Sequence, residues 1–152
     1  MLLIFGFLLM LFIFAFTGGL SGLALIQMID LPSALFIIVP LIFFLILSKN
    51  GNVIGRYFRV SFTKEHTYTG SELAGLSAAI RNTIKFILAT GGVDFLFGFI
   101  AIFMNLEDRQ MLGPNLAVAL FTVLYSVSIS FFVFFPTQAW AENKLAALKD
   151  DA

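Results

Sequence analysis

The sequence predicts an all-α integral membrane protein with four transmembrane helices and a short amphipathic cytoplasmic helix. Three observations carry that reading. Hydrophobic residues make up 60% of the 152-residue chain and charged residues only 12%, with a mean hydropathy of +1.00, a balance that leaves too little polar surface for a water-facing shell. Apolar runs recur four times, at about residues 2–16 (continuing through the small-residue segment 17–25), 31–47, 84–104 and 116–135. A span of the ~30 Å hydrocarbon core takes about 20 helical residues at ~1.5 Å each, and these runs approach or reach that length. Lys and Arg, finally, gather in one connection and in the tail. Residues 1–48 thus hold helices one and two, residues 49–83 a short cytoplasmic loop with an amphipathic helix, and residues 84–152 helices three and four with a cytoplasmic tail.

The first run lacks a basic leading segment and an A-x-A-like cleavage site, so it reads as a retained helix rather than a signal peptide. After the second run, residues 48–68 carry Gly, Asn and mixed charge and read as an irregular connection. Thr69-Gly-Ser-Glu72 then fits a capping box, in which a Thr oxygen accepts from the backbone three residues on and the Glu reaches back. Leu73, Leu76, Ile80, Ile84 and Ile87 follow at three- and four-residue spacing and share one helical face. That stripe predicts an amphipathic helix leading directly into the third span, either lying on the headgroups or touching a neighbouring subunit.

In the third run, Asp94 sits near mid-span, where an aspartate costs roughly 2.5–3.5 kcal/mol. Thr90 lies one turn before it and Gly98 one turn after, with Gly91 and Gly92 permitting close backbone approach. Two readings stand for Asp94: a proton or cation site, or a protonated or hydrogen-bonded structural residue. The fourth run opens at Gly113-Pro114 and carries Thr122, Tyr125, Ser126, Ser128 and Ser130 mid-span. Small hydroxyl residues there suit a helix that packs on others or lines a polar path. Pro136 marks where this helix should stop or kink, and Trp140 beyond it is placed as a headgroup anchor.

Charge sets the orientation. Lys49, Arg56, Arg59, Lys64, Arg81 and Lys85 fall between or beside helices two and three, and Lys144 and Lys149 lie in the tail. The first outer connection has no Lys or Arg and the second only Arg109. The positive-inside rule puts the loop and both termini in the cytoplasm, with Asp30, Glu107 and Asp108 outside.

Several functions are disfavoured. The zero net charge gives no footprint for nucleic acid. The absence of cysteine removes disulfides, thiolate metal sites and a thiol nucleophile. Gly19-Leu20-Ser21-Gly22 has the form of an intramembrane serine nucleophile, but the only histidine, His66, falls on the opposite side of the membrane, and a glycine-rich helix end explains the motif. His66 has no partners with which to ligate a metal. No enzyme, catalytic residue, metal or cofactor is therefore expected, and the 20 phenylalanines read as lipid-facing and packing residues.

Residues 112–126, Leu-Gly-Pro-Asn-Leu-Ala-Val-Ala-Leu-Phe-Thr-Val-Leu-Tyr-Ser, resemble the fourth-helix opening Gly-Pro-x-x-Ala-x-Ala-Leu-x-Thr-Thr-x-Tyr-Gly of the MotA/TolQ/ExbB proton-channel superfamily, its MotA branch most closely. Pro136 falls where that helix ends in the family. Asn105-Leu-Glu-Asp108 is similar to the family's acidic turn, and Asp30-Leu-Pro-Ser33 to its second-helix opening. The resemblance implies a homopentamer in a bacterial inner membrane, enclosing two helices of a MotB/TolR/ExbD-like single-pass partner. An ion-driven stator or force-transducing channel is the function it implies, with a TolQ/ExbB-like transport energiser or a non-conducting scaffold as alternatives. Proton and sodium are both left open as the ion. Thr122 matches the family's pore-lining threonine and Tyr125 its neighbour; with Asp94, Thr90 and Ser126 they form the expected ion path, while Gly91, Gly98, Pro114 and Pro136 are expected to serve helix packing. The chain departs from the pattern at Val123, which replaces a second threonine, and at Leu88, Asp94 and Phe95, where the third helix loses its proline and threonine. The 48–83 connection is also too short for the large cytoplasmic domain of MotA.

Overall fold

A computed structural model describes residues 2–20, 22, 30–61, 68–104, 106–107 and 109–150. Ser21, Lys64, His66, Asn105 and Asp108 lie outside the described residues, as do the side chains of Arg56, Arg59 and Arg109. Among the described residues the regular structure is helical throughout: α1 (Leu2–Leu20), α2 (Leu31–Leu47), α3 (Asn50–Ser61), α4 (Gly70–Met104), α5 (Arg109–Ser128), a π-helical segment (Ile129–Phe134) and α6 (Phe135–Asp150). Two helices, α4 and the continuous rod Gln110–Lys149, are long and apolar enough to cross a membrane; the apolar helices at the N-terminus and in α2 are shorter. Only 11% and 28% of the two long apolar stretches is buried within the chain. A soluble core helix would be mostly covered, so this exterior is compatible with a membrane protein.

Local chemistry explains the helix starts. Asp30 caps α2, its carboxylate accepting from the Ser33 N–H at 2.9 Å, and Pro32 sits in the first turn, where a missing N–H costs nothing. At α4, the Glu72 N–H donates to Thr69 Oγ1 at 3.3 Å and the Thr69 N–H to Glu72 Oε2 at 3.1 Å, a complete capping box. From there α4 runs 35 residues without a break, joining the amphipathic segment to the apolar run as the sequence pattern indicates.

Three local features differ from the sequence reading. Residues 50–61 form a helix, not an irregular connection. Its Ile54, 6% exposed, joins the apolar core, and that tertiary burial outweighs the glycines at 51 and 55. The stripe on α4 is covered by its own chain: Leu73, Leu76, Ile80 and Ile87 are buried in one cluster with Ile37, Ile54, Phe134 and Ala141. The fourth apolar run, lastly, does not stop at Pro136. Helix α5 begins at Arg109, so Gly113 and Pro114 lie inside it, and the rod continues through Pro136 to Asp150.

The π segment accounts for that continuation. Pro136 has no N–H to donate to the Phe132 carbonyl four residues back. Just before it the helix widens, and the Phe135 N–H donates to Ser130 O, five residues back. Against this turn lies Gly6 of α1. A Cβ there would collide with the Phe132 carbonyl oxygen and stand 2.9 Å from its carbon, so only glycine lets α1 come so close.

Helices α4 and α5 approach just as tightly. A Cβ on Gly91 would run into Ser126 Oγ and sit 2.5 Å from Ser126 Cβ, and one on Gly98 would be 2.6 Å from Ala119 Cβ. At the other end of α4, Ser77 Oγ donates to Glu142 Oε1 at 2.7 Å and Gln138 Nε2 donates to the same oxygen at 2.9 Å. These bonds, first Gln138 and then Ser77, hold the Glu142 carboxyl below the usual carboxylate range. Trp140 packs edge-on against Tyr68 at 5.6 Å, with Lys144 Nζ 5.4 Å from its ring centroid. Ring stacking of Phe44 on Phe86 at 4.2 Å ties α2 to α4.

Gly6→Ala should lower stability by about 1–3 kcal/mol in mixed-micelle unfolding, whereas Gly19→Ala, with nothing within 4 Å of its added Cβ, should be neutral or slightly stabilising. Gly91→Ala should cost a similar amount, and adding Ser126→Gly should restore most of it, a coupling of about 0.5–3 kcal/mol; strictly additive losses would show that the two residues do not share that space. A carboxyl whose folded value is depressed stabilises above its ordinary range and loses that contribution as pH falls through the folded value. Glu142→Gln should therefore lower the unfolding midpoint at neutral pH and match the parent chain in acid.

Candidate functional site

The site is a groove between α2, α4 and α5. Its volume is about 490 Å³, and it is lined by Phe36 of α2, by Asp94, Phe97, Gly98 and Ala101 of α4, and by Asn115, Val118 and Thr122 of α5. Helical register explains the set. Asp94, Gly98 and Ala101 follow at four and three residues on one face of α4, and Asn115 and Thr122 stand two turns apart on α5. The tight packing at Gly98 and Ala119 fixes the two faces against each other.

Asp94 is the single charged residue among the described residues of the lining. Its Oδ2 is buried and has no hydrogen-bond partner among the described residues, an uncommon condition for a buried oxygen. Thr122, 1% exposed, shares the groove, and its Oγ1 donates to Ala119 O at 2.8 Å. The hydroxyl hydrogen is thereby committed to the helix backbone, and what Thr122 offers the groove is lone pairs.

The other expected path residues are placed elsewhere. Thr90 Oγ1 donates to Phe86 O at 2.9 Å, one turn down α4. Ser126, 2% exposed, donates to Val123 O at 2.9 Å and fills the space beside Gly91. Tyr125 faces a different neighbour: its hydroxyl accepts the Asp30 N–H at 2.8 Å, and its ring stacks near Phe14 and Phe121. Ser33 of the same α2 turn donates to Val118 O at 3.2 Å, so Asp30, Ser33 and Tyr125 pin the start of α2 to α5. Of the five residues read from the sequence as an ion path, the structure brings Asp94 and Thr122 to one groove, sets Tyr125 and Ser126 in contacts between helices, and bonds Thr90 to its own helix backbone. Pro114 lies in α5 one position before Asn115, and Pro136 lies beyond the π segment, away from the groove.

Asn115 and Phe36 are the lining residues that sequence reasoning missed. Asn115 carried a usable signal, a polar residue two turns from Thr122 on the same face. Phe36 carried none among so many phenylalanines. A second buried oxygen without a partner among the described residues, Ser130 Oγ, lies in the π segment. Among the described residues no group of three or more His, Cys, Asp or Glu is arranged to hold a metal.

No protein-family model matches the chain, and no solved structure matches it. It is 42% identical over 60 residues, 40% of the chain, to the uncharacterized protein YtxD of Bacillus subtilis. It is 44% identical over 48 residues, 32% of the chain, to the chemotaxis protein PomA of Vibrio alginolyticus. With motility protein A of Borreliella burgdorferi it shares 33% identity over 87 residues, 57% of the chain. The aligned stretches span only 22%, 19% and 31% of these relatives' own lengths. Over part of its length, then, the chain is similar to motility proteins of the MotA type.

Proposed function

We propose that this chain is a MotA-like subunit of an ion-driven stator or force-transducing complex. It is a multi-pass protein of a bacterial inner membrane, with both termini and the 48–83 connection in the cytoplasm. The observation that carries the reading is the Asp94–Thr122 groove, where one buried oxygen of an ionisable side chain has no partner among the described residues and the surroundings are apolar. Its setting, in a chain partly similar to PomA and motility protein A, supports an ion-linked role. An aspartate left against lipid at mid-span is costly, so the groove is covered in the working assembly. A homopentamer around the helices of a MotB/TolR/ExbD-like partner supplies that cover, and proton or sodium movement past Asp94 drives the motion of the ring.

A non-conducting scaffold is the second reading, and one observation favours it. The hydroxyls of Thr90, Thr122 and Ser126 all donate to their own helix backbones, so none holds a hydrogen in reserve for a passing ion. One experiment separates the two. In vesicles containing the complex, Asp94→Asn should reduce ion flux at least tenfold while native mass spectrometry still shows five copies, and Thr122→Val should reduce it less. Unchanged flux in Asp94→Asn would make the aspartate structural and favour the scaffold.

A further inference from the structure

We propose that α3 lies on the cytoplasmic face of the bilayer and binds anionic phospholipid headgroups. This rests on the reading that the chain spans a membrane with its 48–83 connection in the cytoplasm, and it gives that connection a ligand. Helix α2 ends at Leu47, which is 81% exposed. A tight turn follows. The Lys49 N–H donates to Ile46 O at 3.3 Å, Lys49 takes a left-handed φ of 56°, and the Asn52 N–H donates to Lys49 O at 3.2 Å. This turn folds α3 back against the end of α2, where a Cβ on Gly51 would stand 3.2 Å from Leu45 O. The stack of Phe44 on Phe86 sets the same end of α2 beside the part of α4 that carries Arg81 and Lys85. Helix α3 therefore begins where the apolar surface of the span stops and the basic residues start.

Helical register divides α3 into flanks. Ile54 enters the core, and Val53, Tyr57 and Val60 follow at four and three residues on the flank beside it. Val53 is 37% exposed. Arg56 and Arg59, three apart, fall on the next flank with Asn52 and Gly55. An apolar flank bordered by a basic one is the pattern of a helix lying in the interface, greasy side toward the acyl chains and cations at headgroup level. Charge points to the same ligand. Residues 31–64 hold four Lys or Arg and no Asp or Glu, and no acid falls between Glu72 and Asp94 on α4. Lys49, Arg81 and Lys85 are exposed, and Arg81 also attracts Glu142 of α6. Phosphate suits arginine, whose planar fork can donate two parallel bonds to it. A soluble acidic protein would answer the charge but leave the apolar flank without a partner, whereas an anionic lipid answers both.

The test uses the full chain in vesicles of phosphatidylcholine alone or mixed with phosphatidylglycerol. The chain has no cysteine, so Val53→Cys or Asn52→Cys carries a single fluorescent label. A basic residue near an anionic surface gains about fivefold in affinity, so Arg56 and Arg59 together should produce at least a tenfold effect. With phosphatidylglycerol present, amide exchange across residues 50–61 should slow at least tenfold. Lipids bearing a shallow nitroxide should then quench the label at 53 several-fold more than the label at 52. Both effects should vanish when Arg56→Gln and Arg59→Gln are combined, persist when Arg56→Lys and Arg59→Lys are combined, and weaken in high salt. Equal exchange in the two lipids would overturn the proposal, as would a phosphatidylglycerol effect that survives the double glutamine variant. So would equal protection in phosphatidylcholine by glycerol phosphate or by an acidic peptide, which would assign α3 to a soluble phosphate or to an acidic protein. A chain that inserts firmly but shows no lipid preference sinks this inference alone, whereas a chain stripped from vesicles by alkali sinks the membrane reading as well.

Discussion

The backbone contact between α4 and α5 at Gly91 and Gly98 sets the geometry of everything around it. With no Cβ at either position, Ser126 and Ala119 press directly onto the α4 backbone, and two helices that present little polar surface are held at a fixed rotation by shape. In an apolar solvent the usual drive to bury greasy side chains is gone, so close van der Waals packing and a few hydrogen bonds must supply the specificity. The rotation fixed there turns Asp94 and Thr122 toward the same groove, while Thr90, one turn earlier on the same face of α4, is not among the lining residues. The groove is a consequence of how two glycines seat a pair of helices.

Farther along the same pair, the contact changes character. Below Gly91 the interface becomes aliphatic, with Ile87, Ile80 and Leu76 against Phe134 and Ala141, and it ends in a polar latch of Ser77, Gln138 and Glu142. An aliphatic interface of this kind is stabilised wherever water is the alternative to burial. One helix pair thus uses two packing chemistries, small residues at one end and an aliphatic core at the other. This division explains why α4 needs no break between its amphipathic and its apolar part.

Much of this was legible in the sequence because it depends on local rules. The capping box at Thr69 and Glu72, the stripe from Leu73 to Ile87 and the apolar runs each follow from spacing alone, and so does the pairing of Asp94 with a small-residue face. Where the sequence misled, a distant contact decided the outcome. Residues 50–61 look irregular until Ile54 finds a core to enter. That Tyr125 also holds the start of α2, through the Asp30 N–H, could not be read from spacing, since the two residues are 95 positions apart. Pro136 looks like a stop because the rule that proline ends a helix assumes strict i→i+4 bonding, and a wider turn upstream relaxes that assumption. Asn115 was readable but passed over, since its importance depends on which α5 face meets α4.

The π segment also changes how the long rod should be counted. A turn closed by an i→i+5 bond takes in one more residue than its α-helical equivalent, so α5 and α6 are out of step by about one position. A helical wheel drawn through both from a single origin would place Glu142 and Trp140 on the wrong side. In chains that share the α5 pattern but lack the wider turn, the same residues in α6 would point elsewhere, and aligning the two by sequence would require a one-residue gap within 129–134. The extra residue acts as a phase offset between the half of the rod that carries the groove and the half that carries the latch.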